Sequence, residues 1–161
     1  MKLILSYLIE SPLWDEFPKE WNEKVKQAFL VALEEVLEKE ASAVEVSLLL
    51  TDDAHIQELN KIYRKKDKPT NVLSFESDES AHLVENCLLG DIVISYETLL
   101  KEAKEQQKEP LSHFIHLAVH GLCHLLGYDH ERGEKEADEM EALEIKILQK
   151  CGLENPYKDE A

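Results

Sequence analysis

His120, His124 and His130 are the residues whose types and spacing point most directly to chemistry. They stand in the stretch HGLCHLLGYDH, residues 120–130. Two histidines four apart on a helix carry their rings side by side and can share one ion. A third can join only if the helix stops and the chain returns. Gly127 stands where that reversal is needed, because glycine enters the left-handed conformation without a Cβ penalty. Three neutral imidazoles with a position left for water describe a catalytic site for zinc or a similar divalent ion, expected at one per chain. The spacing is that of the zinc-protease helix H-E-x-x-H-x-x-G-x-x-H. The glutamate that such proteases use as a base is here Gly121.

His113 and His116 precede the pair on the same helical stripe, at i and i+3 of a series that continues to i+7 and i+11. They lie too far along the axis for the same ion, so their expected place is along the cleft or behind the ligands as orienting groups. Cys123 points roughly 100° away from His124 on a helix and reads as a packed thiol. Asp129 beside the third histidine and Asp91 in the apolar run CLLGDIVIS are further carboxylate candidates. A second concentration of chemistry is KIYRKKDK, residues 61–68, with Lys61, Arg64, Lys65, Lys66 and Lys68. Two readings fit: cations complementing a helix C-terminus, or a local anion-binding patch.

The elements that must position these groups follow from periodicity. Residues 20–39 carry apolar positions at helical spacing. AVEVSLLL, residues 43–50, alternates as a strand, and Thr51 or Asp52 can cap the next helix, whose inner side is marked by Ile56, Leu59 and Tyr63. Residues 71–75 and 87–95 read as strands and 96–107 as a polar helix. Pro110 suits the first turn of a helix over about 110–126. That helix is apolar all round and so belongs in the middle of the domain. A last helix covers about 133–150, and the tail ENPYKDEA reads as frayed. Helices and strands mix without strict alternation, which gives class α+β.

The chain of 161 residues suggests one domain, 1–161, large enough to bury a core without staples. Three cysteines, Cys87, Cys123 and Cys151, show no pairing pattern and read as reduced thiols of a cytoplasmic protein. The N-terminal MKLILSYLIE reads as a first strand and not a signal peptide. No run approaches a membrane span. A net charge of -16 repels nucleic acid in general, so a broad nucleic-acid coat is disfavoured and any RNA track is narrow.

Three segments together resemble one family. HGLCHLLGYDH is similar to the H-G-x-x-H-L-x-G-Y-D-H signature of the YbeY family of bacterial rRNA-maturation endoribonucleases. NKIYRKKDKPTNVLSF, residues 60–75, resembles its N-x-x-Y-R-x-x-D-x-P-T-D-V-L-S-F segment, and LLGDIVIS, residues 88–95, its L-G-D-I-x-I-S segment. Met140 and Glu144 match an M-x-x-x-E ending. Asn71 departs from the family's aspartate. The resemblance spans roughly residues 40–150. It implies a small mixed sheet packed by helices around a zincin-like metal helix, with zinc on His120, His124 and His130. It implies single-strand-specific RNA cleavage in rRNA processing, notably at the 16S 3′ end, and in ribosome quality control. Arg64 would be the functionally important arginine; Lys61, Lys65, Lys66 and Lys68 around it, read as an anion-binding patch, are the expected substrate contacts. The partners implied are single-stranded RNA and the ribosome, with no DNA and no membrane.

Elementary chemistry supports part of this. A phosphodiester transition state gathers negative charge; zinc can polarise a phosphoryl oxygen, and an arginine can clamp the developing charge. Two alternatives stand beside it. A metallopeptidase-like hydrolase needs a carboxylate base that Gly121 does not supply, leaving Asp91 or Asp129. A non-catalytic ribosome-associated zinc protein would need its zinc closed by four protein ligands.

Overall fold

A computed structural model describes residues 2–37, 43–77 and 87–157. The order is β1 (Lys2–Ile9), a short 3-10 helix (Pro12–Glu16), α1 (Trp21–Val36), β2 (Ala43–Thr51), α2 (Asp53–Arg64), β3 (Val72–Glu76), β4 (Cys87–Ser95), α3 (Tyr96–Glu105), α4 (Pro110–Leu125) and α5 (Glu134–Lys150). The strands form one sheet in the order β1-β2-β4-β3, with β1, β2 and β4 parallel and β3 antiparallel to β4. The class is α+β, as the patterning implied, and the sheet is the small mixed one that the resemblance implied. The far end of the first predicted helix lies outside the described residues.

Alternation along β4 divides its side chains between the two sheet faces. Ile92 and Ile94 join the main core with α4, while Val93 packs with Leu73 and Ile56 of α2. Helix α4 therefore lies on one face and α2 on the other. The main core closes over α4 with Phe114, Val119 and Leu122 fully buried, and with Met140 and Ile147 supplied by α5. An apolar helix is stable here because nearly every side of it meets another element.

Local signals set the ends. Asp52 caps α2 by accepting from the His55 N–H at 3.0 Å. Lys65 ends the same helix in the left-handed conformation, with its N–H on the Lys61 carbonyl. Buried Asn60 donates to the Lys68 carbonyl at 2.9 Å and ties down the basic loop. Two expectations are corrected. Tyr63 is not on the inner side of α2: it is 65% exposed, and the buried side chains are Ile56 and Asn60. The tail is not frayed up to Tyr157, which is half-buried, and the Pro156 carbonyl accepts from Lys108 at 2.7 Å. Residues 158–161 lie outside the described residues.

Candidate metal centre

Helix α4 carries His120 and His124 on one side, one turn apart. The chain then reverses. The Gly127 N–H bonds the His124 carbonyl at 3.0 Å, and the Tyr128 N–H bonds the Cys123 carbonyl at 3.0 Å. Gly127 has φ +102°, a conformation that side chains rarely adopt. The reversal brings His130 back, with its ring centre 5.1 Å from that of His120 and 5.0 Å from that of His124. One nitrogen from each of the three lies within 4.8 Å of the others.

The donor set fits a metal. The Nε2 atoms of His120 and His124 are 3.2 Å apart. Two imidazole nitrogens at about 2.0–2.1 Å from a tetrahedral zinc stand roughly 3.3 Å apart, so the pair is spaced for one ion. Tautomer chemistry agrees. His120 Nδ1 lies 3.1 Å from Glu144 Oε2; a proton there leaves the Nε2 lone pair facing His124. Burial, then the neighbouring His120 and His130, push the His124 pKa down, which keeps its imidazole neutral and able to ligate. Among the described residues, no fourth His, Cys, Asp or Glu joins the group.

Glu144 of α5 is the centre behind the candidate ligands. It is fully buried and accepts from Tyr157 Oη at 2.7 Å, and it lies 2.8 Å from His116 Nε2. Burial raises the Glu144 pKa, but hydrogen bonds from His116 and His120 outweigh it and hold the group at about 2. His116 thus reaches the ligand set through a shared carboxylate. Its own pKa is lowered, chiefly by burial. His113 does not bond Glu144; its ring stands edge-on to that of His116 and its Nε2 bonds Glu102 at 2.9 Å. The Asn71 amide donates to the same carboxylate at 3.0 Å. An aspartate at 71 would face Glu102 with like charge, so the asparagine belongs to this network.

A cavity of about 910 Å³ opens over the triad, lined by all three histidines and by Arg64, Asp129 and Glu131 among others. Arg64 therefore shares the cleft with the metal candidates, although it comes from α2. Its Nη2 donates to Glu131 Oε1 at 2.8 Å. Asp129 accepts from the Glu131 N–H at 2.9 Å and shapes the loop that holds His130. Asp91 is exposed on β4 and does not line this cavity. Lys61, Lys65, Lys66 and Lys68 are exposed around the end of α2 and do not line it either; Arg132 does. Cys123 is fully buried, and burial pushes its thiol pKa up.

Gly121, at the position of the protease base, faces the sheet, where a Cβ would come 2.8 Å from Ile92 Cγ2 and 3.1 Å from Ser74 Oγ. Ser74 Oγ donates to the Gly121 carbonyl at 3.0 Å, so helix and strand meet almost backbone to side chain. Gly121→Glu is therefore expected to destabilise the fold by at least about 2 kcal/mol, through overpacking and a buried charge. Urea unfolding would read this as a lower midpoint; an unchanged midpoint would mean that the seam has room.

Sequence reasoning placed none of Glu144, Tyr157 or Glu102 in the site, whereas Glu131, flanking His130, reads either as an outer carboxylate or as a solvated turn residue and proves to be the partner of Arg64. Glu144 carried the clearest signal: it shares the stripe of Met140, Ile147 and Leu148, where a charge needs a partner.

Fold and site together define an α+β protein whose central helix and following turn gather three imidazoles able to hold one metal ion. A family model described as Endoribonuclease YbeY matches residues 13–152. The chain belongs to the YbeY family. It is 52% identical over 122 residues to the Endoribonuclease YbeY of Magnetococcus marinus, covering 71% of this chain and 83% of that one. To that of Acinetobacter baylyi it is 48% identical over 139 residues, 84% and 86% of the two chains. The solution structure of TM1509 from Thermotoga maritima is similar, with a TM-score of 0.60 and 25% identity over 92% of this chain and 89% of that one. No described helix is long and apolar enough to cross a membrane.

Proposed function

We propose that this chain is a zinc-dependent, single-strand-specific endoribonuclease, one domain over residues 1–161. Its setting is the cytoplasm, in rRNA processing, notably at the 16S 3′ end, and in ribosome quality control. The observation that carries the reading is one cavity lined by His120, His124, His130 and Arg64, in a chain of a family whose relatives are named endoribonucleases. The all-imidazole donor set suits zinc at one ion per chain.

Bound zinc supplies Lewis acidity and lowers the pKa of a coordinated water. The chain's own residues do the rest. Glu144 holds the His120 ring with its Nε2 lone pair forward. Arg64 offers planar donors that match two phosphoryl oxygens, and Glu131 keeps the guanidinium at the cleft until a phosphate takes its place. The exposed lysines 61, 65, 66 and 68 raise the local concentration of a polyanion along one edge of an acidic protein. A peptidase reading is not favoured: Asp91 lies outside the cavity, and Asp129 is engaged in its own turn.

The test is cleavage by zinc-loaded protein of single-stranded RNA, duplex RNA and casein. Cleavage of casein with RNA left intact would sink the reading. Arg64→Ala is expected to lower kcat by about 10²–10³-fold, the usual cost of one charge-stabilising donor, with zinc content still near one per chain. Full activity in Arg64→Ala would remove the role assigned to it.

A further inference from the structure

We propose that Tyr63, backed by Phe75, is a stacking platform for a nucleobase of RNA entering the cavity. The inference rests on the endoribonuclease reading and adds a base-recognition subsite to it. Its first support is a misplaced aromatic. Tyr63 occupies a position whose helical spacing assigns it to the core, yet it is 65% exposed. Large exposed hydrophobics among the described residues include Tyr7, Leu8, Ile9, Leu13 and Ile62. Tyr63 is the member of that set that lines the cavity over the histidines.

The ring is also held in place. Phe75 meets it edge to face, with centres 5.0 Å apart and planes at 63°. Phe75 in turn packs on the buried cluster of Ile56, Leu73 and Val93. A ring fixed on one side, with most of its surface in water, can take a flat partner at little entropic cost.

Charge selects the kind of flat partner. Tyr63 adjoins Arg64 and stands within Lys61–Lys68, the basic stretch of a chain with net charge -16. An aromatic face among cations, beside a phosphate-clamping arginine, is the pattern by which proteins hold single strands: the backbone tracks the charge and a base stacks on the ring. Stacking tolerates any base, because each has a π-face. It requires a base free to leave its neighbours, which a duplex does not offer. Tyr63 would thus give strand selectivity without contact to the metal.

The experiment uses the zinc-loaded full chain and single-stranded RNA carrying 2-aminopurine at successive positions. Fluorescence is read in the first moments after mixing, together with steady-state kinetics. Tyr63→Ala is expected to raise KM about 5- to 150-fold, the range for loss of one stacked base, to change kcat little, and to lose the quenching seen at one position. Tyr63→Phe should stay within about twofold of wild type, and Tyr63→Trp should bind at least as well, because the ring and not the hydroxyl is used. An abasic nucleotide at the quenched position should erase the difference between wild type and Tyr63→Ala. Unchanged KM and quenching in Tyr63→Ala would overturn the platform, as would a loss in Tyr63→Phe equal to that in Tyr63→Ala. If Tyr63→Ala behaves as wild type while wild type cleaves RNA, the platform fails alone. If wild type neither binds nor cleaves RNA, the endoribonuclease reading fails with it.

Discussion

Replacing His124 with alanine is expected to abolish RNA cleavage and to leave the protein without a stably held metal. The site has three donors, drawn from one helix turn and the loop after it. Two donors hold zinc far more weakly than three, so the metal content of purified protein should fall well below one per chain. Metal catalysis contributes several kcal/mol to a hydrolytic barrier. At about 1.4 kcal/mol per factor of ten, the rate should fall roughly a thousandfold or more. Stability should follow. A ligand that binds only the folded state adds about 2.7 kcal/mol at 100 times its dissociation constant. Added zinc should therefore raise the melting temperature of wild type and not that of His124→Ala. A variant that kept zinc and full activity would show that the metal is held elsewhere.

Glu144→Ala should give the largest loss of folding stability. Its carboxylate has no exposed surface and serves His116, His120 and Tyr157 together. Truncation would leave these partly buried groups short of an acceptor, at a cost of about 2–5 kcal/mol. Zinc affinity should drop about 10- to 100-fold, because His120 loses the partner that sets its tautomer. The pH dependence identifies the charge. The folded carboxyl is held at about 2, against 4.5 when free. A group whose folded pKa is depressed stabilises above the free value and loses that contribution as pH falls through the folded one. At neutral pH the drop corresponds to about 3 kcal/mol. In metal-free protein, the stability gap between wild type and Glu144→Gln should thus be full near pH 7. It should narrow as pH falls below about 4.5 towards about 2. A gap that stays constant would mean that the carboxylate's charge is not what stabilises the fold.

The parts of the site legible in the sequence are those that local geometry dictates. His120, His124, Gly127 and His130 lie within eleven residues, and one helix turn and one reversal bring the ligands together. Arg64 stood out through the density of cations around it. The family's sequence pattern, more than any local rule, tied that arginine to the histidines. What stayed hidden depends on packing between distant segments. Glu144 comes from a different helix, and Tyr157 from a tail that reads as too polar to order. Gly121 reads in the sequence only as the place of an absent base, because only the sheet, through Ser74 and Ile92, shows which side of α4 it faces. Tyr63 was misread for a related reason: period alone marks an apolar face, and it does not say where that face runs out of core to cover.

The separation of Arg64 from the triad has a consequence for folding. The three histidines can be gathered by a single short segment, so capture of metal demands little loop closure. The arginine is brought to the cleft only after α2 docks on the sheet that β3 and β4 complete. Contacts of such high sequence separation form slowly and late. Metal loading can therefore run ahead of assembly, whereas the pairing of arginine and metal site marks its end. A partly folded chain could gather the three imidazoles and still lack the arginine beside them, so the cleft is complete only when the fold is.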